Sequence, residues 1–156
     1  MDETGKYRLV KEDLVDEHDE VRGSILVLTQ VGRKSFLTKM RSSKQKMHDA
    51  RLISLASIRL IGTSKDIALK TELLKPLSDS SGIYAFEMRP KPRRSTIRVM
   101  VYLPGNDTKH AVLLFEFKGH RGDKGGIPTE ELDKAKRLAS IAKDIFDECI
   151  FDSSAC

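Results

Sequence analysis

The stretch LLFEFKGHRGDKGGIP, residues 113–128, runs from an apolar strand pattern into a loop rich in glycine and positive charge. Lys118, His120, Arg121 and Lys124 fall in that loop. Glycine frees backbone N–H groups to approach a ligand closely, and cations beside them favour an anion, so the loop suits phosphate. His120 adds a group able to move a proton near neutral pH, and it reads equally as an exposed loop histidine. A second basic cluster, Lys91, Arg93 and Arg94, lies in the proline-rich run PKPRRS, 90–95.

Several better-defined chemistries do not fit. GHRGDKGG has neither the GxxxxGK[ST] nor the GxGxxG spacing, so it is not a nucleotide loop of either kind. The histidines at 18, 48, 110 and 120 show no HxxxH or HxH spacing, and no metal site is expected. No GxSxG or Cys/His nucleophile arrangement stands out. Arg121-Gly122-Asp123 spells a cell-adhesion tripeptide, which reads as coincidence. Cys149 and Cys156 are spaced neither as a disulfide framework nor as CxxC, so free thiols are expected.

The elements that must position these groups follow from periodicity. The chain has 156 residues, enough for one domain with one core. SILVLTQ, 24–30, reads as a strand between Gly23 and Gly32. Residues 34–61 read as a helix pair. Phe36, Leu37 and Met40 mark the first helix. Met47, Ala50, Ile53, Ala56 and Leu60 mark the second, widened by Leu52, Leu55 and Ile58. Ser42 and Ser43 stand where they could cap that second helix, and Gly62 is its stop. Residues 63–82 read as loop or a short helical turn. Three strands follow at 82–89, 96–103 and 111–118, with short connections that imply an antiparallel meander. A closing helix opens at Pro128 or Thr129 and carries Leu132, Ala135, Leu138, Ala139, Ala142, Ile145 and Phe146 on its apolar face. The order βααβββα predicts an α+β fold: a small antiparallel-meander sheet with an N-terminal strand, a helix pair packed on one face and a C-terminal helix. The expected organisation is an acidic arm over 1–22, one domain over 23–150 and a tail over 151–156.

Strict alternation along the meander would gather Glu87, Arg89, Arg98, Glu116 and Lys118 on the sheet face that helices leave open. An ordinary solvated sheet face has the same pattern.

Charge is unevenly spread. Residues 1–21 hold three basic and eight acidic side chains, a net of −5, whereas the whole chain carries +5. A basic body points to a polyanionic partner or to a merely solvated surface. The acidic arm could fold over the basic face. No stretch is apolar enough to span a membrane, and the polar N-terminus has no signal-peptide core, so the cytoplasm is the expected compartment.

LLKPLSDSSGIYAFEMR, TIRVMVY, LLFEFKG and IPTEELDKAKRLA, in that order over 73–139, resemble the C-terminal signature of the RelE/HigB toxins. The resemblance implies the toxin of a bacterial type II toxin–antitoxin system, partnered by a small DNA-binding antitoxin. It implies a ribosome-dependent mRNA endoribonuclease that needs neither metal nor cofactor; the alternatives are a non-enzymatic inhibitor of the same fold, such as the gyrase inhibitors of the related ParE branch, or a degenerate, non-toxic relative. Arg89 matches the family's arginine after the first meander strand, Arg98 the one in the second, and Lys118 the first of a lysine pair. Gly119 replaces the second lysine, with His120 and Arg121 following. The implied catalytic set is therefore Arg89, Arg98, Lys118 and His120, with Lys91, Arg93, Arg94, Arg121 and Lys124 on the RNA backbone. The closing helix lacks the tyrosine that some members use there, and Glu116 stands where a histidine or small residue is common.

Overall fold

The computed structural model describes residues 4–77, 82–88, 96–118 and 127–151. Its centre is a six-stranded mixed sheet in the order β1-β2-β6-β5-β4-β3. The strands are β1 (Tyr7–Val15), β2 (Val21–Gln30), β3 (Lys75–Pro76), β4 (Ile83–Met88), β5 (Ile97–Tyr102) and β6 (Val112–Lys118). The helices are α1 (Phe36–Arg41), α2 (Met47–Ile61), α3 (Lys65–Lys70) and α4 (Thr129–Phe151). The meander β4–β5–β6 is antiparallel throughout. β2 joins it by pairing parallel to β6, with Leu26 beside Val112 and Val27 beside Leu113.

The sheet is larger than the small meander predicted, because residues expected as an arm supply β1. Tyr7–Val15 pairs antiparallel with β2 along its whole length. Its apolar residues serve both faces: Leu14 enters one core cluster, and Tyr7 and Leu9 pack against the other. Among the described residues, the acidic side chains Glu12, Asp16 and Asp19 of this N-terminal region find partners away from the meander. Glu12 accepts hydrogen bonds from the Ser35 and Thr38 hydroxyls at 2.5 and 2.6 Å and stands 3.4 Å from the Arg41 guanidinium. Asp19 pairs with Arg51 on α2 at 2.9 Å. The β1–β2 turn is built round Asp16, which accepts from the backbone N–H groups of His18 and Glu20 and from Arg22 Nε at 2.6 Å.

Helices cover both faces of the sheet, not one. The predicted pair lies on the first face, where Leu37, Met40, Ile53 and Leu60 meet Ile97, Val99 and Val101. α4 lies on the second, where Ala135, Leu138, Ala142 and Ile145 meet Ile83, Ala85, Met100 and Leu114. An open sheet face of this size would leave Met100, fully buried here, in water, and burying such a side chain contributes roughly 1.5–3 kcal/mol.

Local chemistry sets the helix ends. Ser35 caps α1 by accepting from Thr38 N–H at 3.1 Å. Ser42 and Ser43 do not cap α2: Ser42 closes α1, and α2 begins at a Lys46 cap with no side-chain bond. Met47, assigned to the apolar stripe, is 54% exposed, while Ser54 and Ser57 are buried in its place. Ser57 satisfies itself by donating to the Ile53 carbonyl at 2.8 Å. Gly62 ends α2 as expected, and Ser64 caps α3 by accepting from Ile67 N–H. Among the described residues, no helix is long and apolar enough to cross a membrane.

The Arg22 hydrogen bond, followed by the Glu20 N–H, holds the Asp16 carboxyl down at about 2, against an ordinary 3.8. A lowered carboxyl pKa stabilises the fold above the unfolded value and loses that contribution as pH falls through the folded one. Thermal denaturation of the wild type should therefore show a melting temperature that drops between about pH 4 and pH 2, and Asp16→Asn should flatten that part of the profile while melting lower than wild type at neutral pH.

Candidate functional site

β4, β5 and β6 present one end of the sheet where Met88, Ile97 and Lys118 lie side by side in register. The basic segments 89–94 and 119–124 connect to the strands there. Arg89, Lys91, Arg93, Arg94, His120, Arg121 and Lys124 lie outside the described residues, as does Cys156, and nothing is described of the Cys149 side chain. Of the residues implied by the family resemblance, Arg98 and Lys118 are described.

These two do not share a face. Val101 pairs with Leu113, but Met100 pairs with Phe115, so Leu114 is an extra residue in β6. A bulge of one residue shifts every later side chain to the opposite face. Phe115 and Phe117 therefore turn toward α4, with ring centroids 6.0 Å apart and the Lys134 ammonium 4.4 Å from the Phe115 centroid. Glu116 and Lys118 turn toward α2. The expectation that Glu87, Arg98, Glu116 and Lys118 gather on one uncovered face is corrected on both counts. The charges are divided between the faces, and both faces carry helices.

On the α4 face, Arg98 is 7% exposed. Its Nε stands 3.6 Å from Glu87 Oε2 on the neighbouring strand, and Lys75 Nζ stands 3.3 Å from the same oxygen. Burial raises the Glu87 pKa, but the Lys75 hydrogen bond and charge, with the Arg98 charge, outweigh it and hold the carboxyl below its ordinary value. A buried guanidinium with a neutralising carboxylate costs desolvation and requires its partner. Arg98 thus ties β5 to β4, with little surface left to offer a ligand.

On the α2 face the charges are more open. Lys118 Nζ lies 3.5 Å from Asp49 Oδ2, and Lys46 Nζ lies 3.9 Å from Glu116 Oε1. The two ammonium-bearing side chains are about half exposed, at 52% and 47%, whereas the Asp49 side chain is 4% exposed. Asp49 sits in the first turn of α2, where the helix N-terminus favours negative charge. Its Oδ1 is buried with no hydrogen-bond partner among the described residues. Beside this quartet opens a cleft of about 400 Å³ lined by Phe36, Lys39, Met40, Ser43, Lys46 and Glu116.

The sequence reading missed Asp49, Lys46 and Lys39. Asp49 carried a usable signal: it falls four residues before Ile53, on the buried stripe of α2. Lys39 and Lys46 had none, since an exposed lysine within a helix or at its start is ordinary. Among the described residues, no group of three or more His, Cys, Asp or Glu side chains is placed to hold a metal ion.

Removing the Lys118 ammonium strands a buried carboxylate. Lys118→Ala should lower stability by about 1–3 kcal/mol in urea titration. Adding Asp49→Asn to that variant should recover about 1 kcal/mol, and strict additivity of the two changes would show that the pair does not interact.

Compared with protein-family models, with curated proteins and with solved structures, the chain matches none.

Proposed function

We propose that the chain is the toxin of a type II toxin–antitoxin system and acts on mRNA as a metal-independent endoribonuclease that inhibits translation on the ribosome. The observation that carries this reading is a pair of exposed ammonium groups at the end of the sheet where β4, β5 and β6 lie in register. Lys118 and Lys46 stand half exposed there. In the sequence, the runs 89–94 and 119–124 that follow β4 and β6 hold six further Lys or Arg residues. The ordered resemblance over 73–139 supports it, and so does the succession of β2, the α1–α2 pair, the β4–β5–β6 meander and α4, into which α3 and β3 are inserted. The proposed partners are an antitoxin, the ribosome and mRNA.

The chemistry asks little of the fold. The 2′-hydroxyl of the RNA is the nucleophile at the adjacent phosphorus, and the 5′-oxygen leaves. A base takes the hydroxyl proton, cations stabilise charge on the phosphate, and an acid protonates the leaving oxygen. Lys118 and Arg89 supply the charge in this reading, and His120 the acid.

One observation favours a second reading, a non-cleaving inhibitor of the same architecture. Arg98, assigned to catalysis by resemblance, is buried and held by Glu87. A protein that had lost cleavage could keep that pair for stability alone and act by binding, for example on gyrase as the ParE branch does.

Induced expression with mapping of mRNA 5′ ends separates the two. The first reading expects growth arrest with cuts within translated message, reduced about a hundredfold or more in Arg89→Ala and Lys118→Ala. Growth arrest with intact message, persisting in the Arg89→Ala/Lys118→Ala double variant, would overturn it in favour of the inhibitor.

A further inference from the structure

We infer that the cleft between α1, α2 and β6 is a base-recognition subsite for single-stranded RNA, selective for a base with adjacent N–H donors, guanine above all. This inference rests on the RNA reading and names what that site would recognise.

The cleft has the parts such a subsite requires. At about 400 Å³ it falls within the range of small-ligand sites. Phe36 on α1 lines it while packing partly against the core, so its ring is anchored and offers one side to a ligand. Base stacking on an aromatic ring is the commonest way a protein holds an unpaired base, and it is indifferent to sequence. Met40, 3% exposed, gives the cleft an apolar wall. Lys39 and Lys46 line the cleft, and Lys118 stands beside Glu116 on β6, toward Asp49 of α2. Three ammonium groups against the carboxylates of Glu116 and Asp49 leave the site net positive, as a backbone phosphate requires.

Glu116 supplies the selectivity. Among the described residues its ion-pair partner is Lys46, at 3.9 Å, too long for a direct hydrogen bond. Both carboxylate oxygens accept and neither donates. The Watson–Crick edge of guanine presents N1–H and N2–H₂ side by side, a match for two acceptors. Uracil presents one N–H between two carbonyls, which a carboxylate repels. Asp49 fixes the frame: only 3% exposed on α2, it holds the Lys118 ammonium from beneath and leaves Glu116 as the acceptor in the cleft. The bulge at Leu114 is what turns Glu116 and Lys118 toward this cleft instead of toward α4.

The test is fluorescence anisotropy at low salt, with a labelled uridine pentamer and the same pentamer carrying one central guanosine. Wild type should bind the guanosine pentamer about tenfold more tightly, the discrimination expected of a bidentate base contact. Glu116→Gln, which keeps one acceptor, should reduce that ratio to near one while leaving uridine binding within about twofold. Phe36→Leu preserves most of the core contact and should weaken both pentamers about tenfold. Circular dichroism melts of each variant exclude loss of fold as the cause. Equal binding of the two pentamers by wild type, or an unchanged ratio in Glu116→Gln, overturns the subsite. If Lys118→Ala still weakens both pentamers in that case, RNA binding stands and only base recognition falls. Absence of binding to either pentamer also overturns the subsite, and mapping of message ends in cells then decides the function independently.

Discussion

The surface this sheet presents depends on one extra residue in β6. Through Leu113 the strand alternates in phase with β5, and after Leu114 it alternates in the opposite phase. Unshifted, the strand would press Phe115 and Phe117 against the polar start of α2 and push Glu116 and Lys118 beneath α4. Neither arrangement is stable: two aromatic rings would lose their apolar cover, and two charges would be buried without partners. The bulge solves both at the cost of one interrupted ladder position. It buries Phe115 against α4, where the Lys134 ammonium lies over its ring, and it hands Glu116 and Lys118 to Lys46 and Asp49.

Each face of the sheet end then carries its own ionic arrangement, and the two differ in kind. The α4 face is closed. Glu87 serves Arg98 and Lys75 together, and the guanidinium is nearly inaccessible. The α2 face is open, because its carboxylates lie deep and its ammonium groups lie outside. Asp49 lies in the first turn of α2, where the helix N-terminus favours negative charge, and its Oδ2 faces the Lys118 ammonium at 3.5 Å. A lysine tethered from below loses part of its rotational freedom during folding. That cost is then not incurred when an anion binds.

Much of the architecture was legible. The β-branched run before Gly32, the helical stripe ending at Gly62 and the three apolar runs of the meander fall where the structure has β2, α2, β4, β5 and β6. β1 was hidden by its charge. Its apolar residues, Tyr7, Leu9, Val10 and Leu14, are interleaved with Arg8, Lys11, Glu12 and Asp13, and the partners of Glu12, the Ser35, Thr38 and Arg41 side chains, lie far along the chain. The position of α4 was hidden for a different reason. Periodicity identifies which side of a helix is apolar, but not which face of a sheet receives it. The bulge was hidden because Ala111 to Phe115 is an unbroken apolar run, and such a run sets no phase. The candidate site inherits that ambiguity, since the phase decides which charges it contains.

The asymmetry between the faces also bears on how such a site would divide its labour. Phosphate contacts supply affinity that salt screens, and base contacts supply selectivity that salt touches little. Lys46 and Lys118 are half exposed and each faces a carboxylate, so in the proposed RNA site they would add only modestly to the retention of a polyanion. The cleft would contribute something different: an aromatic surface, an apolar wall and an acceptor in one place. Fixed geometry is what discrimination requires, because an acceptor that can move aside accommodates the wrong base at little cost. Glu116 is held by its pairing with Val99 of β5, and Phe36 by a helix whose cap, Ser35, is tied to Glu12 of β1. The strand that the acidic N-terminal sequence concealed therefore braces the helix that carries Phe36, which links the least legible part of the fold to the wall of the cleft.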